Sequence, residues 1–208
     1  MRIGLFGGSF DPIHFGHLLL AETCREAAQL DQVWWTPAAT SPHKQGRVTA
    51  SAQHRLRMLQ LALGGHEAFI ACDWELERGG VSFTVDTLER LHSEHPTAEL
   101  FLLLGADSVN DLPTWRAPER ICELATPLFV RRPNSSEPDW DRLGSLLDPT
   151  RRAEVKSLQV SMPLIELSST EIRQRIAESR SIRYRTPAAV VKYIETQRLY
   201  RSESSTSP

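Results

Sequence analysis

The sequence lacks an excess of charge of either sign. Its 208 residues include 24 Lys and Arg and 26 Asp and Glu, for a formal net charge of −2 at pH 7. Nucleic acids and acidic membranes attract proteins through an excess of positive charge, which this composition does not supply. We therefore expect no nucleic-acid partner and no membrane partner, and any site for an anion must be local.

Cysteines and long apolar runs are also scarce. Cys24, Cys72 and Cys122 lie far apart, are odd in number and form no CxxC pair. This spacing argues against a disulfide framework and against a structural zinc site, so we expect reduced, buried thiols. No stretch approaches the roughly 18 apolar residues of a membrane span. These features predict a cytoplasmic protein.

Short apolar runs alternate along the chain with amphipathic segments. The apolar runs predict strands, and the amphipathic segments predict helices. The predicted strands are 1–7, 32–38, 69–78, 98–107, 127–133 and 157–167, and the predicted helices are 17–30, 51–63, 82–95, 118–125, 168–179 and 186–200. This alternation predicts an α/β fold with a doubly wound, mostly parallel sheet, whose ligands lie beyond the carboxyl ends of the strands.

The composition along the chain predicts one domain. Residues 134–157 are polar, contain two prolines and have weak periodicity, which predicts an excursion outside the sheet. The last residues are rich in serine and carry no periodic pattern. We therefore expect a single domain over 1–200 and a disordered tail over 201–208.

The stretch GGSFDPIHFGH follows the first predicted strand. Gly7 and Gly8 allow the backbone to approach a phosphate closely, and the next helix offers a positive N-terminal end. His14 and His17 are three residues apart, with Gly16 between them, so both imidazoles can donate hydrogen bonds to one anion. The alternative is that His14 caps the helix and His17 packs; zinc is a weaker alternative, because no third ligand is suitably spaced. The dinucleotide-binding GxGxxG pattern is absent.

The stretch LSSTEIR lies near the C-terminus. Ser168 and Glu171 have the spacing of a capping box, which predicts a helix start with free backbone N–H groups. The hydroxyls of Ser169 and Thr170 and the guanidinium of Arg173 suit a polyphosphate. The alternative is a purely structural helix cap.

Candidate residues for a second ligand come from three further segments. Lys44, in the loop SPHKQG, is a flexible cation that suits an acceptor phosphate. Arg47 is a second candidate for contact with the same phosphate, with less support from the sequence. Thr84 stands at a predicted helix start, where a ligand carboxylate can bind. Trp115 stands in a loop, where its ring can stack on a pyridine ring. The alternative is that Thr84 only caps and Trp115 only packs.

Two aspartates follow predicted strands. Asp107, in the segment GAD, suits hydrogen bonds from a ribose or help in holding a magnesium ion, although an Asx turn is an alternative. Asp11 has a similar ambiguity, and a turn-forming role is the preferred interpretation for it.

These motifs resemble those of the HxGH nucleotidyltransferases, and the first motif is most similar to that of nicotinate-nucleotide adenylyltransferases. SSTEIR resembles the ISSTxIR element of that family, PHK its lysine loop, and GAD its GxD element; Phe83 replaces the Tyr of the family's SYT. The resemblance implies the Rossmann-like nucleotidyltransferase fold. It also implies catalytic roles for His14, His17 and Arg173. The implied ATP site consists of these three residues together with Gly7, Gly8, Ser9, Phe10, Asp107, Ser168, Ser169 and Thr170. The implied acceptor site consists of Lys44, Thr84 and Trp115.

The resemblance implies transfer of AMP from ATP to nicotinate mononucleotide, giving nicotinate adenine dinucleotide and pyrophosphate. Mg²⁺ would accompany ATP, and no protein residue is assigned as a metal ligand. The alternatives are a pantetheine-phosphate adenylyltransferase, a non-catalytic nucleotide-sensing module and a fragment of a class I aminoacyl-tRNA synthetase. The last would need a KMSKS-like lysine loop, and SSTEIR has no lysine. The oligomeric state and the choice between nicotinate and nicotinamide mononucleotide stay open.

Overall fold

The structure is a computed structural model. It describes residues 1–40, 50–105, 108, 110–131, 139–143, 146–163 and 165–201. Three residues of the predicted site, Lys44, Arg47 and Asp107, lie outside the described residues.

Six strands form one sheet, as the alternating pattern predicts. They are β1 (Arg2–Gly8), β2 (Gln32–Pro37), β3 (Phe69–Ala71), β4 (Glu99–Gly105), β5 (Thr126–Arg131) and β6 (Val160–Ser161). Their order across the sheet is β3-β2-β1-β4-β5-β6, and each of the five pairings is parallel. The predicted doubly wound α/β fold is confirmed.

Helices connect the strands and cover both faces of the sheet. The described helices are α1 (Phe15–Ala27), α2 (Ala52–Leu63), α3 (Trp74–Arg78), α4 (Thr84–Glu94), α5 (Pro118–Leu124), α6 (Trp140–Leu143), α7 (Pro149–Ser157), α8 (Ser169–Ala177) and α9 (Ala188–Thr196), with a 3₁₀ turn at Leu112–Thr114. The helices α1, α2, α8 and α9 pack on one face, and α4 to α7 pack on the other.

Strand β4 shows why this sequence forms a central strand. Leu100, Leu102 and Leu104 pack into the core on one face of the sheet, while Phe101 and Leu103 pack into the core on the other. Successive side chains of a strand point to opposite faces, so a strand covered on both faces needs a continuous apolar run. The run ELFLLLG meets that need.

Two predicted strands are shorter in the structure. The run FIACDWELER ends as a strand at Ala71 and continues as α3. The partly buried Trp74 packs on Trp34 with 5.1 Å between ring centroids, and the next residue, Glu75, is buried. A strand would point these neighbours to opposite faces, whereas a helical turn packs both inward. Only two residues of SLQVSMPLIEL form β6, since α7 extends to Ser157 and Pro163 has no N–H for the ladder.

The predicted excursion lies outside the sheet, but part of it is regular. Within the described part of 134–157, α6 and α7 bury Leu143 and Val155 against the second face. Asp148 begins α7, because its carboxylate accepts hydrogen bonds from the backbone N–H groups of Thr150 and Arg151 at 2.8 and 2.9 Å.

The three cysteines are free and buried, as predicted. Burial raises the pKa of the Cys24 thiol to about 12, and those of Cys72 and Cys122 to about 11. No helix among the described residues is both long and apolar enough to cross a bilayer.

The strand order places a crevice at one edge of the sheet. β1 lies between β2 and β4, so the chain winds toward β2 on one side and later toward β4 on the other. At such a reversal the loops after the two central strands separate and leave a ligand crevice. The glycines that end β1 and β4 line this crevice.

Candidate active site

Two cavities open at the carboxyl edge of the sheet. One, of about 390 Å³, contains the two histidines of the first motif and is called the histidine cavity below. The other, of about 510 Å³, contains Thr84 and Trp115 and is called the tryptophan cavity. The two cavities share one wall, made by Phe6, Gly7, Gly8, Ser9, Gly105 and Ser108.

His14 and His17 stand side by side at the start of α1. His14 is the N-cap residue, and its ring stacks on that of His17 with 3.7 Å between centroids and 22° between planes. The backbone N–H of His14 donates to His17 Nδ1 at 3.3 Å, so the ring proton of a neutral His17 resides on Nε2. Both rings line the histidine cavity. His14 therefore caps α1, as the alternative predicts, and also lines the cavity; hydrogen-bond donation to an anion stays a prediction.

Two glycines make room for rings at this site. A Cβ atom on Gly16 would lie 3.0 Å from His14 Nδ1 and 3.1 Å from its Cε1. A Cβ atom on Gly8 would lie 2.9 Å from the Phe10 ring. Gly7 is different, because its nearest neighbour, Thr36 Oγ1, would be at an ordinary 3.6 Å. Gly8 and Gly16 are thus required by close packing, and Gly7 leaves exposed backbone at the cavity wall.

The predicted cap begins α8. Ser168 Oγ accepts a hydrogen bond from the backbone N–H of Glu171 at 3.1 Å. The Glu171 carboxylate accepts from Arg185 Nε at 3.2 Å, which braces the loop before α9. Ser169 Oγ donates to the carbonyl of Pro12 at 2.9 Å and so ties α8 to the first motif. The N-terminal end of α8 consequently faces the histidine cavity.

Arg173 joins the two motifs. Its Nη1 donates to the backbone carbonyl of Asp11 at 2.8 Å, and its Nη2 donates to Thr170 Oγ1 at 3.2 Å. The side chain keeps 21% of its surface exposed and lines the histidine cavity. A guanidinium held in this way presents its remaining N–H groups toward an anion.

A buried arginine supports the shared wall from behind. Arg55 on α2 is 1% exposed, and it donates to the carbonyls of Ser9 and Ala39 at 2.8 and 3.3 Å. Burial lowers the pKa of its guanidinium, and the nearby Asp11 charge opposes that shift. Sequence reasoning missed Arg55, although a signal exists: it shares the buried face of α2 with Met58 and Leu59.

The tryptophan cavity combines aromatic rings with one cation. Thr84 is the first residue of α4 and Trp115 follows the 3₁₀ turn; both line this cavity. The Arg116 guanidinium lies 4.6 Å from the centroid of the Phe83 ring. Glu75 also lines this cavity, and its buried carboxylate accepts a hydrogen bond from Thr87 Oγ1 at 2.8 Å. The sequence analysis did not identify Arg116 or Glu75 as site residues. For Arg116 a signal was available, because it directly follows the candidate residue Trp115 in the sequence.

The structure brings most of the predicted site residues together. Ten of them line the histidine cavity, namely Gly7, Gly8, Ser9, Phe10, His14, His17, Ser168, Ser169, Thr170 and Arg173. Thr84 and Trp115 line the tryptophan cavity. The described residues contain no group of three or more His, Cys, Asp or Glu side chains that could hold a metal ion.

The chemistry of the two cavities differs. The histidine cavity collects imidazoles, a guanidinium and the N-terminus of α8, all of which bind phosphate oxygens. The tryptophan cavity offers an aromatic surface and a cation, which suit a flat ring with negative charge. Because the cavities share the Gly7–Ser9 wall, ligands bound in both would meet there.

Comparisons with known proteins find a matching family model and similar proteins. Residues 5–175 match the family model described as cytidylyltransferase-like. A protein of Rhodopirellula baltica named "Probable nicotinate-nucleotide adenylyltransferase" is 43% identical over 199 residues, which cover 96% of this chain and 93% of the relative. A protein of the same name from Thermus thermophilus is 43% identical over 201 residues, which cover 97% of this chain and 100% of the relative.

A solved structure shares the fold. It is titled "Plasmodium falciparum nicotinic acid mononucleotide adenylyltransferase complexed with NaAD", and it matches with a TM-score of 0.74 at 19% identity, over 96% of this chain and 97% of that one. At 19% identity, this structure shows that the fold is shared and nothing more. The relatives at 43% identity show the family of the chain. The chain belongs to the cytidylyltransferase-like family and, within it, to the nicotinate-nucleotide adenylyltransferases.

Proposed function

We propose that the protein transfers AMP from ATP to nicotinate mononucleotide, giving nicotinate adenine dinucleotide and pyrophosphate, a step in making NAD. The observation that carries the proposal is the wall Gly7–Ser9 shared by two cavities of different chemistry. ATP would place its phosphates in the histidine cavity, and the pyridine nucleotide would place its ring in the tryptophan cavity. The two reacting phosphates would then meet at the shared wall.

The reaction would be a direct in-line displacement. An oxygen of the acceptor phosphate attacks the α-phosphorus of ATP, the new P–O bond forms, and the bond between the α-phosphorus and the bridging oxygen breaks with release of pyrophosphate. Such a transfer needs positioning and charge stabilisation and no covalent enzyme intermediate. His14 and His17 would donate hydrogen bonds to the reacting phosphates. Arg173 and the N-terminus of α8 would hold the triphosphate, with Ser168 and Thr170 beside them.

Nucleotidyltransferases of this kind generally use a divalent metal ion together with ATP. We propose Mg²⁺ for this protein. The groups lining the histidine cavity are mainly N–H and O–H donors, which bind phosphate oxygens and suit an ion carried by the nucleotide itself. Bound with ATP, Mg²⁺ would neutralise charge on the departing pyrophosphate.

The acceptor site would use the rim of the tryptophan cavity. The indole of Trp115 suits stacking on the pyridine ring, and the start of α4 at Thr84 suits its carboxylate. Arg116 adds a positive charge beside Phe83. Lys44, for the acceptor phosphate, and Asp107, for the nucleotide, remain predictions.

The cellular location and the domain boundaries are also proposals. Three free, buried cysteines suit the reducing environment of the cytoplasm. The two hydrophobic clusters of the core include residues from Ile3 to Ile194, which supports a single domain over 1–200.

The experiment measures pyrophosphate release from ATP and Mg²⁺ with three acceptors: nicotinate mononucleotide, nicotinamide mononucleotide and phosphopantetheine. It uses the wild type, His17→Ala and, as a matched control, His92→Ala, which removes an exposed histidine of α4. We expect turnover with nicotinate mononucleotide that is lost in His17→Ala and kept in His92→Ala. Turnover only with phosphopantetheine would show that the protein is a pantetheine-phosphate adenylyltransferase instead. ATP binding without turnover on any acceptor would indicate a sensing module.

A further inference from the structure

A buried glutamate lines the tryptophan cavity, and the proposed reaction gives it no role. Glu75 is the second residue of α3, is 5% exposed and belongs to the cavity lining. The preceding residue, Trp74, packs on Trp34 of β2, so α3 lies against the sheet beside this cavity. A nearly buried carboxylate in a ligand cavity is a candidate for a functional group.

The charge of the Glu75 carboxylate has little compensation within the part of the chain that the structure describes. Thr87 Oγ1 donates a hydrogen bond to Oε1 at 2.8 Å, and no Lys, Arg or His side chain among the described residues forms an ion pair with Glu75. The other charged groups of the cavity lining, Asp111 and Arg116, are exposed. Removing a carboxylate from water is costly unless an opposite charge accompanies it. A ligand that brings positive charge into the cavity would supply that opposite charge.

The proposed acceptor carries such a charge. The pyridine ring of nicotinate mononucleotide is a cation, because its nitrogen is also bonded to the ribose. The same ring carries a carboxylate, so one flat group has two opposite charges. The cavity has a matching region for each of them. Arg116 and the start of α4, which begins at Thr84 without a side-chain cap, are positive, whereas Glu75 is negative.

We propose that Glu75 is a further binding residue for the acceptor, and that its carboxylate attracts the positive charge of the pyridinium ring. The inference rests on the proposed function, which places that ring in the tryptophan cavity. The attraction depends on the ring charge, so it favours nicotinate and nicotinamide mononucleotides alike. Arg116, in contrast, acts on the carboxylate that only nicotinate has. Because Glu75 is shielded from water, solvent and salt screen its attraction weakly.

Thr87 fixes the position of this negative charge. It is 2% exposed and lies in α4, three residues after Thr84. Its hydrogen bond to Glu75 therefore places the carboxylate beside the first turn of the helix whose N-terminus suits the ring carboxylate. The regions for the two opposite charges of the ligand are thus held in one fixed arrangement. Such an arrangement selects a ring that carries both charges over a ring that lacks one of them.

The test compares acceptors that differ in ring charge. Nicotinate mononucleotide is compared with its dihydropyridine form, which keeps the carboxylate, ribose and phosphate but has a neutral ring. Pyrophosphate release gives KM for each acceptor and for ATP, calorimetry gives the Kd of each acceptor, and thermal melting reports stability. Glu75→Gln removes the charge and can still accept a hydrogen bond from Thr87. Glu77→Gln is the matched control, since it makes the same change at an exposed residue of α3.

The expected effect is specific to the charged ring. We expect Glu75→Gln to raise the KM and Kd of nicotinate mononucleotide about tenfold, through loss of one weakly screened charge contact. The constants of the dihydropyridine form and the KM of ATP should stay within about twofold of the wild type. The KM of nicotinamide mononucleotide should rise by the same factor as that of nicotinate mononucleotide. Glu77→Gln should leave every constant within about twofold of the wild type.

Other outcomes would overturn the proposal. A wild type that binds the charged ring and the neutral ring equally well would refute it, whether or not Glu75→Gln folds. An equal rise for both ring forms in Glu75→Gln, with a lower melting temperature, would show that Glu75 only supports α4. Turnover of nicotinate mononucleotide without any dependence on Glu75 would refute the inference and leave the proposed function intact. A wild type that neither binds nor converts nicotinate mononucleotide would refute the proposed function, and the inference with it.

Discussion

Replacing Gly16 with alanine is expected to lower the catalytic rate while leaving stability almost unchanged. Gly16 lies in the first turn of α1, where alanine is the better helix former by about 1 kcal/mol. The new methyl group would stand 3.0 Å from His14 Nδ1 and 3.1 Å from Cε1. Ordinary carbon contacts are about 3.5 Å or longer, so the imidazole must move by about 0.5 Å.

The expected loss follows from that displacement. A misplacement of about 1 Å in an active site costs about 100-fold in rate, so about 0.5 Å predicts a loss of about tenfold in kcat. The strain on the His14 rotamer, about 1 kcal/mol, offsets the gain in helix propensity. Pyrophosphate release measures kcat, and urea unfolding measures stability, which should stay within about 1 kcal/mol of the wild type.

A matched control separates the His14 contact from a general effect of alanine. Gly64 ends α2 with a negative φ, and a Cβ atom there would meet only backbone oxygens at 3.6 and 3.7 Å. Gly64→Ala should keep wild-type kcat. A Gly16→Ala enzyme with wild-type kcat would refute the reasoning, since the position of the His14 ring would then not limit catalysis.

Three further predictions concern the buried support, the acceptor cavity and the thiols. Arg55→Leu should lower the free energy of unfolding by about 3 kcal/mol in urea, because two partly buried carbonyls lose their donor. Arg116→Gln should reduce the preference for nicotinate over nicotinamide mononucleotide, measured as the ratio of kcat/KM values, by about fivefold through loss of one exposed cation. Between pH 9 and 10.5, under reducing conditions, stability to urea should fall by up to about 4 kcal/mol per pH unit. The three buried thiols have raised pKa values and stay neutral in the folded protein, whereas unfolded thiols ionise above about pH 9, the ordinary pKa of an exposed thiol.

Each of these has a clear contrary result. An unchanged unfolding energy for Arg55→Leu would show that the two carbonyls find other donors. If Arg116→Gln has the same ratio of kcat/KM values for nicotinate and nicotinamide mononucleotide as the wild type, Arg116 does not set the preference. Thr84 and the start of α4 would then set it. A flat stability profile above pH 9 would contradict the burial of the thiols, and Cys24→Ala should remove about a third of the slope.

Local signals predicted the parts of the site that depend on neighbouring residues. The stretch GGSFDPIHFGH contains within eleven residues the strand end, the glycines and both histidines, so their proximity follows from chain connectivity. Ser168 and Glu171 predicted the start of α8 because a capping hydrogen bond spans only three residues. The apolar runs likewise predicted a two-faced parallel sheet.

Short apolar runs were less informative about where a strand ends. FIACDWELER and SLQVSMPLIEL both read as strands, yet only 69–71 and 160–161 pair in the sheet. A run of this length fits a buried helix as well as a strand, and the partner that decides between them is distant in sequence. For Glu75, that partner is Thr87, which accommodates a buried carboxylate that no periodic pattern predicts.

The sequence by itself determined the fold class, the family resemblance and the local motifs, because apolar periodicity, turn chemistry and capping act between residues that are close along the chain. Only the tertiary structure decided which motifs meet. The strand order brings Thr84 and Trp115 into one cavity and places Arg173 against the backbone of Asp11. The contact between Tyr200 and Asp11 likewise exists only because the strands and helices between them pack into one sheet with helices on both faces.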